Sequence, residues 1–167
     1  MADKYLYNNS GTITEKPAIT TSAGAGDSGK IPAVDSTGRL DSSFMPVGLG
    51  ADTASITASE ALAAGDLVNI WNSTGAKVRK ADASTAGKEA HGFVLSAVTS
   101  AATALVYFEG TDTQVSSLTP GVQFLSTTPG IASATAPSGS GNIVQRVGYA
   151  TAATALNFDA GPPIVLA

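Results

Sequence analysis

The segment Gly24-Ala25-Gly26-Asp27-Ser28-Gly29-Lys30 has the most suggestive spacing in the chain. It satisfies G-x-G-x-x-G. It falls one residue short of the phosphate-binding loop G-x-x-x-x-G-K-[ST], because Ile31 stands where the metal-binding hydroxyl belongs. Both motifs aim backbone amides and a helix N-terminus at a phosphate, so each needs a buried strand before it and a helix after. Here Thr20-Thr21-Ser22-Ala23 precedes and Ile31-Pro32 follows, and the proline forbids the continuing helix. Nucleotide binding is not expected.

Gly26-Asp27-Ser28-Gly29 also frames a serine in the manner of a trypsin-like protease nucleophile. The general base would have to be His91, the only histidine, which lies downstream of the serine, whereas that family places histidine first. Metal binding at His91 would need Glu89 or Glu109 as companions, and one histidine without any cysteine makes a poor ligand set. Asp66 and Glu109 could serve as paired carboxylates on a sugar, but Trp71 is alone and aromatics total 6%, too few for the usual stacking platform. The expectation is a protein that is not an enzyme, with no cofactor and no metal.

Lys77, Arg79, Lys80 and Lys88 form the one basic cluster. Lys77 and Arg79 alternate on one strand face, so Lys77, Arg79 and Lys80 are either a solvated surface or polar contacts to an acidic partner. A net charge of −4 without a basic stripe argues against nucleic acid as a partner. No 18 apolar residues run together and the N-terminus lacks an apolar signal core, so no membrane association is expected.

The elements that would carry these residues are strands. Ala63 to Lys80 reads as a β-hairpin: Gly65-Asp66 launches a β-favouring run, Asn72-Ser73-Thr74-Gly75 turns it, and Lys77-Val78-Arg79 alternates on the return. The pattern comes twice. Gly65 and Gly121 lie 56 residues apart, as do Gly92 and Gly148, and Gly75 pairs with Gly130. Ala101-Ala102-Thr103-Ala104-Leu105 is echoed by Ala152-Ala153-Thr154-Ala155-Leu156. Candidate strands are Leu67–Trp71, Ala76–Lys80, His91–Val98, Ala104–Phe108, Val122–Leu125, Ile131–Thr135, Ile143–Ala150, Ala155–Phe158 and Ile164–Leu166. Ser59 could cap a helical turn, but a strand and loop leading into Gly65 fits better. The expected fold is all-β: an antiparallel β-sandwich or small barrel spanning 51–167, built from tandem halves of about 56–110 and 111–167.

Residues 1–50 read differently. Tyr5-Leu6-Tyr7 and Thr12-Ile13-Thr14 are short β-like fragments, Pro17, Pro32 and Pro46 break any helix, and Gly48-Leu49-Gly50 closes the stretch. No apolar period persists long enough to fill a core. This is expected to be an extended arm whose Ile31, Val34, Leu40, Phe44 and Met45 anchor to another surface; a tail serving only solubility would hardly gather Leu40, Phe44, Met45 and Val47 so closely.

Two compositional features point to a homo-oligomer. With 29 alanines the chain has few large apolar side chains, so its core invites sharing with neighbours. Residues 111–167 hold only Asp112, Arg146 and Asp159 as fixed charges, and loss of charge marks subunit-interface cores.

Gly29-Lys30-Ile31-Pro32-Ala33-Val34-Asp35-Ser36-Thr37-Gly38-Arg39-Leu40-Asp41-Ser42-Ser43-Phe44-Met45-Pro46 resembles a phrase found in structural proteins of tailed bacteriophages, G-K-I-P-x-x-D-x-x-G-[KR]-L-D-x-S-[FL]-x-P. Ser117 to Gly121 and Gly141 to Gly148 resemble segments of phage capsid decoration (cement) proteins and of some tail-fibre modules. The resemblance implies a structural virion protein without catalytic residues, made in the host bacterial cytoplasm. It would sit as a trimer on the capsid exterior, with the major capsid protein and copies of itself as partners. The alternative is a tail-fibre or head-fibre module that touches the host surface.

Overall fold

The structure, a computed structural model, describes residues 3–45 and 51–167. It is all-β, and among the described residues the helical elements are two single 3-10 turns, Ala25–Asp27 and Ser42–Phe44. The chain divides into two units, Met1–Gly50 and Ala51–Ala167.

In the first unit β1 (Lys4–Asn9) and β2 (Thr12–Pro17) form an antiparallel hairpin, so the two β-like fragments are the two sides of one ribbon. Ser10 and Gly11 take the positive φ values that a two-residue hairpin turn demands, and Asn8 Oδ1 accepts from the Gly11 amide. Ile19 then bridges Pro32 in parallel. No described residue of this unit is buried.

The second unit opens with β3 (Thr53–Ala58), β4 (Leu67–Asn72), β5 (Ala76–Lys80), β6 (Gly92–Phe93) and β7 (Thr103–Tyr107). These close a barrel in the order β3-β5-β4-β6-β7. All its pairings are antiparallel except β3 with β5, which is parallel and closes the ring. The chain continues through β8 (Gly110–Asp112), β9 (Gly121–Leu125), β10 (Ala132–Ser133), β11 (Ile143–Val144), β12 (Arg146–Ala152), β13 (Ala155–Phe158) and β14 (Ile164–Val165). Five of these make an open sheet, β10-β9-β12-β13-β8, while β11 pairs with β14.

Matched by sequence offset, the two sheets repeat one order: β5-β4-β6-β7-β3 is answered by β10-β9-β12-β13-β8. The registers run within a residue of each other at one point. Phe93 pairs with Tyr107, and Tyr149, 56 residues after Phe93, pairs with Asn157, 50 residues after Tyr107. A Cβ on the preceding glycine would lie 2.5 Å from the Tyr107 carbonyl oxygen at Gly92 and 2.0 Å from the Asn157 carbonyl oxygen at Gly148. Glycine recurs there because a neighbouring strand's backbone fills the space. The second sheet stays open, and Gly65-Asp66 packs against residues just beyond both of its edge strands. Cβ atoms built on Gly65 and Gly130 would lie 2.7 Å from the Gln114 oxygen and 2.5 Å from Asp66 Oδ1.

One apolar cluster lies inside the barrel (Leu62, Val68, Val78, Val94, Val106). A larger one joins the halves, where Phe93 stacks on Tyr107 and meets Phe158 among Leu67, Leu125, Ile143 and Leu156. The body thus supplies its own core from residues of both halves. Scarcity of large hydrophobics therefore does not by itself call for a neighbour's core.

Several strands end within a residue of the sequence reading, Ile131–Thr135 shrinks to Ala132–Ser133, and larger departures occur elsewhere. β3 begins before Ile56, and β8 is a strand that composition did not mark. His91–Val98 shrinks to Gly92–Phe93, after which Val94 bonds the Asp66 carbonyl and Val98 bridges Leu62. Ile143–Ala150 is two strands in different sheets, divided at Gln145. That side chain is buried and ties the halves together, exchanging hydrogen bonds with the Ala90 amide (2.7 Å) and carbonyl (3.0 Å).

Candidate interaction surface

Without a core, residues 18–45 are shaped by side chain to backbone hydrogen bonds, and three aspartates do most of it. Asp27 Oδ2 accepts from the Ala23 amide (2.6 Å) while Oδ1 pairs with Lys30 Nζ (2.6 Å). Asp35 Oδ1 accepts from the Thr37 amide (2.8 Å), the Thr37 hydroxyl (2.7 Å) and the Arg39 amide (3.1 Å), closing a turn in which Gly38 takes φ +77°. Asp41 caps the 3-10 turn Ser42–Phe44 by accepting from the Ser43 amide (2.9 Å), and the Ser43 hydroxyl accepts from the Ser22 amide (2.8 Å). Each carboxyl is held below its ordinary range. The Lys30 ammonium is the main cause at Asp27, the Thr37 hydroxyl at Asp35 and Ser43 at Asp41.

These turns leave the apolar residues outward. Ile31, Val34, Leu40 and Met45 are all close to half exposed, and Phe44 is partly buried. The five anchors read from sequence therefore sit on one stretch of turns, four of them open to solvent. On the hairpin Leu6 and Ile13 are more exposed still. Pro46, Val47 and Gly48-Leu49-Gly50 lie outside the described residues.

The basic cluster comes out otherwise than expected. Arg79 Nε donates to Asn69 Oδ1 (2.9 Å), Nη2 donates to the Gly87 carbonyl (2.9 Å), and the guanidinium lies 4.6 Å over the Trp71 ring. Lys80 Nζ reaches the buried Asp66 carboxylate at 3.0 Å, and Lys88 lies 3.8 Å from Asp82. Arg79 and Lys80 are thus engaged within the body, because strand pairing brings Asn69 and the Asp66 turn beside them. Among the described residues Lys77 has no ion pair and is the one member left for an outside contact.

The residues considered for chemistry are dispersed. Gly24 to Lys30 forms a 3-10 turn and a coil in which Lys30 is paired to Asp27. His91 Nδ1 accepts from the Ile70 amide (3.0 Å), holding the edge of β4. Asp66 lines a cavity of about 140 Å³ with Gln114, Leu118 and Ile131, whereas Glu109 lines another with Asn157 and Asp159. Among the described residues no three of His, Cys, Asp and Glu come together as metal ligands, and no helix is long and apolar enough to cross a membrane.

Two features escaped the sequence reading. Asp112 is fully buried on β8; one oxygen accepts from the Gln114 amide (2.9 Å) and the other has no partner, so burial pushes its carboxyl up, with Asp66 adding to the effect. The outward side of β9 and β12 carries Val122 opposite Tyr149. The alternation in both strands was visible in the sequence, but not which sheet face met water. Comparison of the chain with family models, with curated proteins and with solved structures finds no match.

Proposed function

We propose that this chain is a non-enzymatic structural protein of a tailed-phage virion. It binds the capsid exterior as a homotrimer and stabilises the shell by bridging major capsid protein subunits. One observation supports this above the others. In the phage-like phrase, Asp35, Gly38, Asp41 and Ser43 close the turns, while Ile31, Val34, Leu40 and Met45 are left exposed. A motif that builds turns around unburied apolar side chains suits docking into pockets of another surface. Each docked anchor contributes modestly, up to about 1.5–3 kcal/mol for a side chain fully buried. Three linked copies multiply such contacts into firm attachment.

The test uses shells of the phage that encodes the chain, prepared without it. Full-length chain should bind them and raise the temperature at which they rupture. The full-length variant Ile31→Asp/Leu40→Asp/Met45→Asp should bind at least tenfold more weakly. Failure of the unaltered chain to bind, or equal binding by the variant, would overturn the reading.

A further inference from the structure

We infer that β8 and the loop after it, residues 110–118, form a strap at the open edge of the second sheet, and that loss of the Asp112 proton loosens it. β8 is a three-residue strand at the end of its sheet, paired with β13 alone. Asp112, its last residue, is fully buried, whereas Gly110, Thr111 and Thr113 around it are exposed. The carboxyl thus lies one residue away from water, where the strand gives way to loop.

The loop part of the strap is lightly tied. Gln114 donates its amide to Asp112 Oδ1 (2.9 Å), and Leu118 donates its amide to the Ala153 carbonyl (3.1 Å). Between them Ser117 takes φ +60°, in the left-handed region that a side chain disfavours. Val115 and Leu118 pack on the core as partly buried side chains, and with Gln114 they wall the cavity of about 140 Å³ beside Asp66. A short edge strand followed by an exposed loop with few hydrogen bonds is the kind of segment that opens while the rest stays folded.

Asp112 makes that opening depend on protons. Its Oδ2 is buried without a partner, so an ionised carboxyl here has one hydrogen bond and no water. Among the described residues no cation pairs with it. The charged group that bears on it is Asp66, itself buried and already paired with Lys80 (3.0 Å). Leu156, opposite it on β13, and Gln114, which it caps, carry no charge. Burial first, and the Asp66 carboxylate second, favour the neutral acid while the strap is closed. An open strap returns Asp112 to water, where it ionises. Opening therefore releases a proton between the ordinary carboxylate value and the raised one. It becomes easier as pH rises through that range, by up to about tenfold per pH unit, and levels off above it.

Hydrogen exchange of the full-length chain from about pH 4 to 9, each rate divided by that of an unstructured peptide at the same pH, tests the inference. The Gln114 and Leu118 amides should exchange at least tenfold faster than the slowest amides of β4 and β7 at every pH. Their protection should fall as pH rises from about 4, by up to about tenfold per unit, and then level off. The carboxyl carbon shift of Asp112 should titrate at the pH where protection levels off. Asp112→Asn keeps an acceptor for the Gln114 amide and cannot ionise, so its protection should stay flat. Protection of the unaltered chain that ignores pH, an equal slope in Asp112→Asn, or strap amides no faster than those of the barrel would overturn the inference. Where Asp112→Asn does not fold, a carboxyl titration that falls away from the levelling point would overturn it as well. No shell is present, so the outcome is independent of shell binding by residues 1–50.

Discussion

The same side chain does opposite work in the two units. In residues 3–45 aspartates sit in water and are kept ionised by donors: Asp27 by Lys30, Asp35 by Thr37, Asp41 by Ser43. In residues 51–167 Asp112 lies where no water reaches, with one oxygen unpartnered, and burial favours its neutral form. One unit is held by local polar bonds without a core. The other is held by a core that can tolerate a poorly matched polar group. Stability in this chain therefore has two sources with different responses to mutation and to pH.

The largest test of that contrast is in the core. Phe158, almost wholly buried against Phe93, joins the two halves of the body. Phe158→Ala should cost about 3–5 kcal/mol, read by denaturant unfolding. The amide shifts of Asp27, Asp35 and Asp41 should stay where they are at native conditions.

Asp112 offers a smaller effect with a defined sign. A carboxyl whose folded pKa is raised binds its proton more tightly when folded. Its contribution is thus best at low pH and is lost as pH climbs from the ordinary carboxylate range through the raised value. Asp112→Asn should make the body more stable at pH 7, with the advantage shrinking as the pH is lowered below about 4. Unfolding curves of both proteins across pH 3–8 measure it. A constant difference would mean that the buried carboxyl does not titrate with folding.

The turns should respond in the other direction and least of all. Their carboxyls have lowered pKa values, so the support they give is present above the ordinary range near 4 and lost as pH falls through the folded values. On acidification the amides of Ala23, Thr37 and Ser43 should lose their bonded shifts while the body keeps its fold. Asp35→Ala should reproduce the loss at Thr37 and Arg39 at neutral pH without moving the body's melting temperature. NMR spectra of the full-length chain report both.

How much of this was legible depended on distance along the chain. β5 is readable to the residue, because Asn72 to Gly75 turns the chain locally and the alternation of Lys77-Val78-Arg79 needs no distant partner. The hairpin β1–β2 was harder. Its two fragments looked β-like, but pairing requires recognising Asn8 to Gly11 as a turn. Gly92 and Gly148 announced the repeat, yet their crowding by Tyr107 and Asn157 belongs to strands many residues away.

What the sequence by itself determined is therefore the local chemistry: an all-β chain, a recurring pattern at a spacing of 56, and a front segment whose apolar residues follow no period that could fill a core. These follow from bonds between residues a few positions apart, whose geometry the residue types dictate. Only the tertiary structure decided that β3 closes one ring in parallel while the other sheet stays open beside Gly65-Asp66, that one expected strand is two divided at Gln145, and that Arg79 and Lys80 are engaged within the body. It also decided that Asp112 is buried. Each of these depends on which distant strands meet, and packing of the whole core settles that, since spacing along the chain carries no record of it.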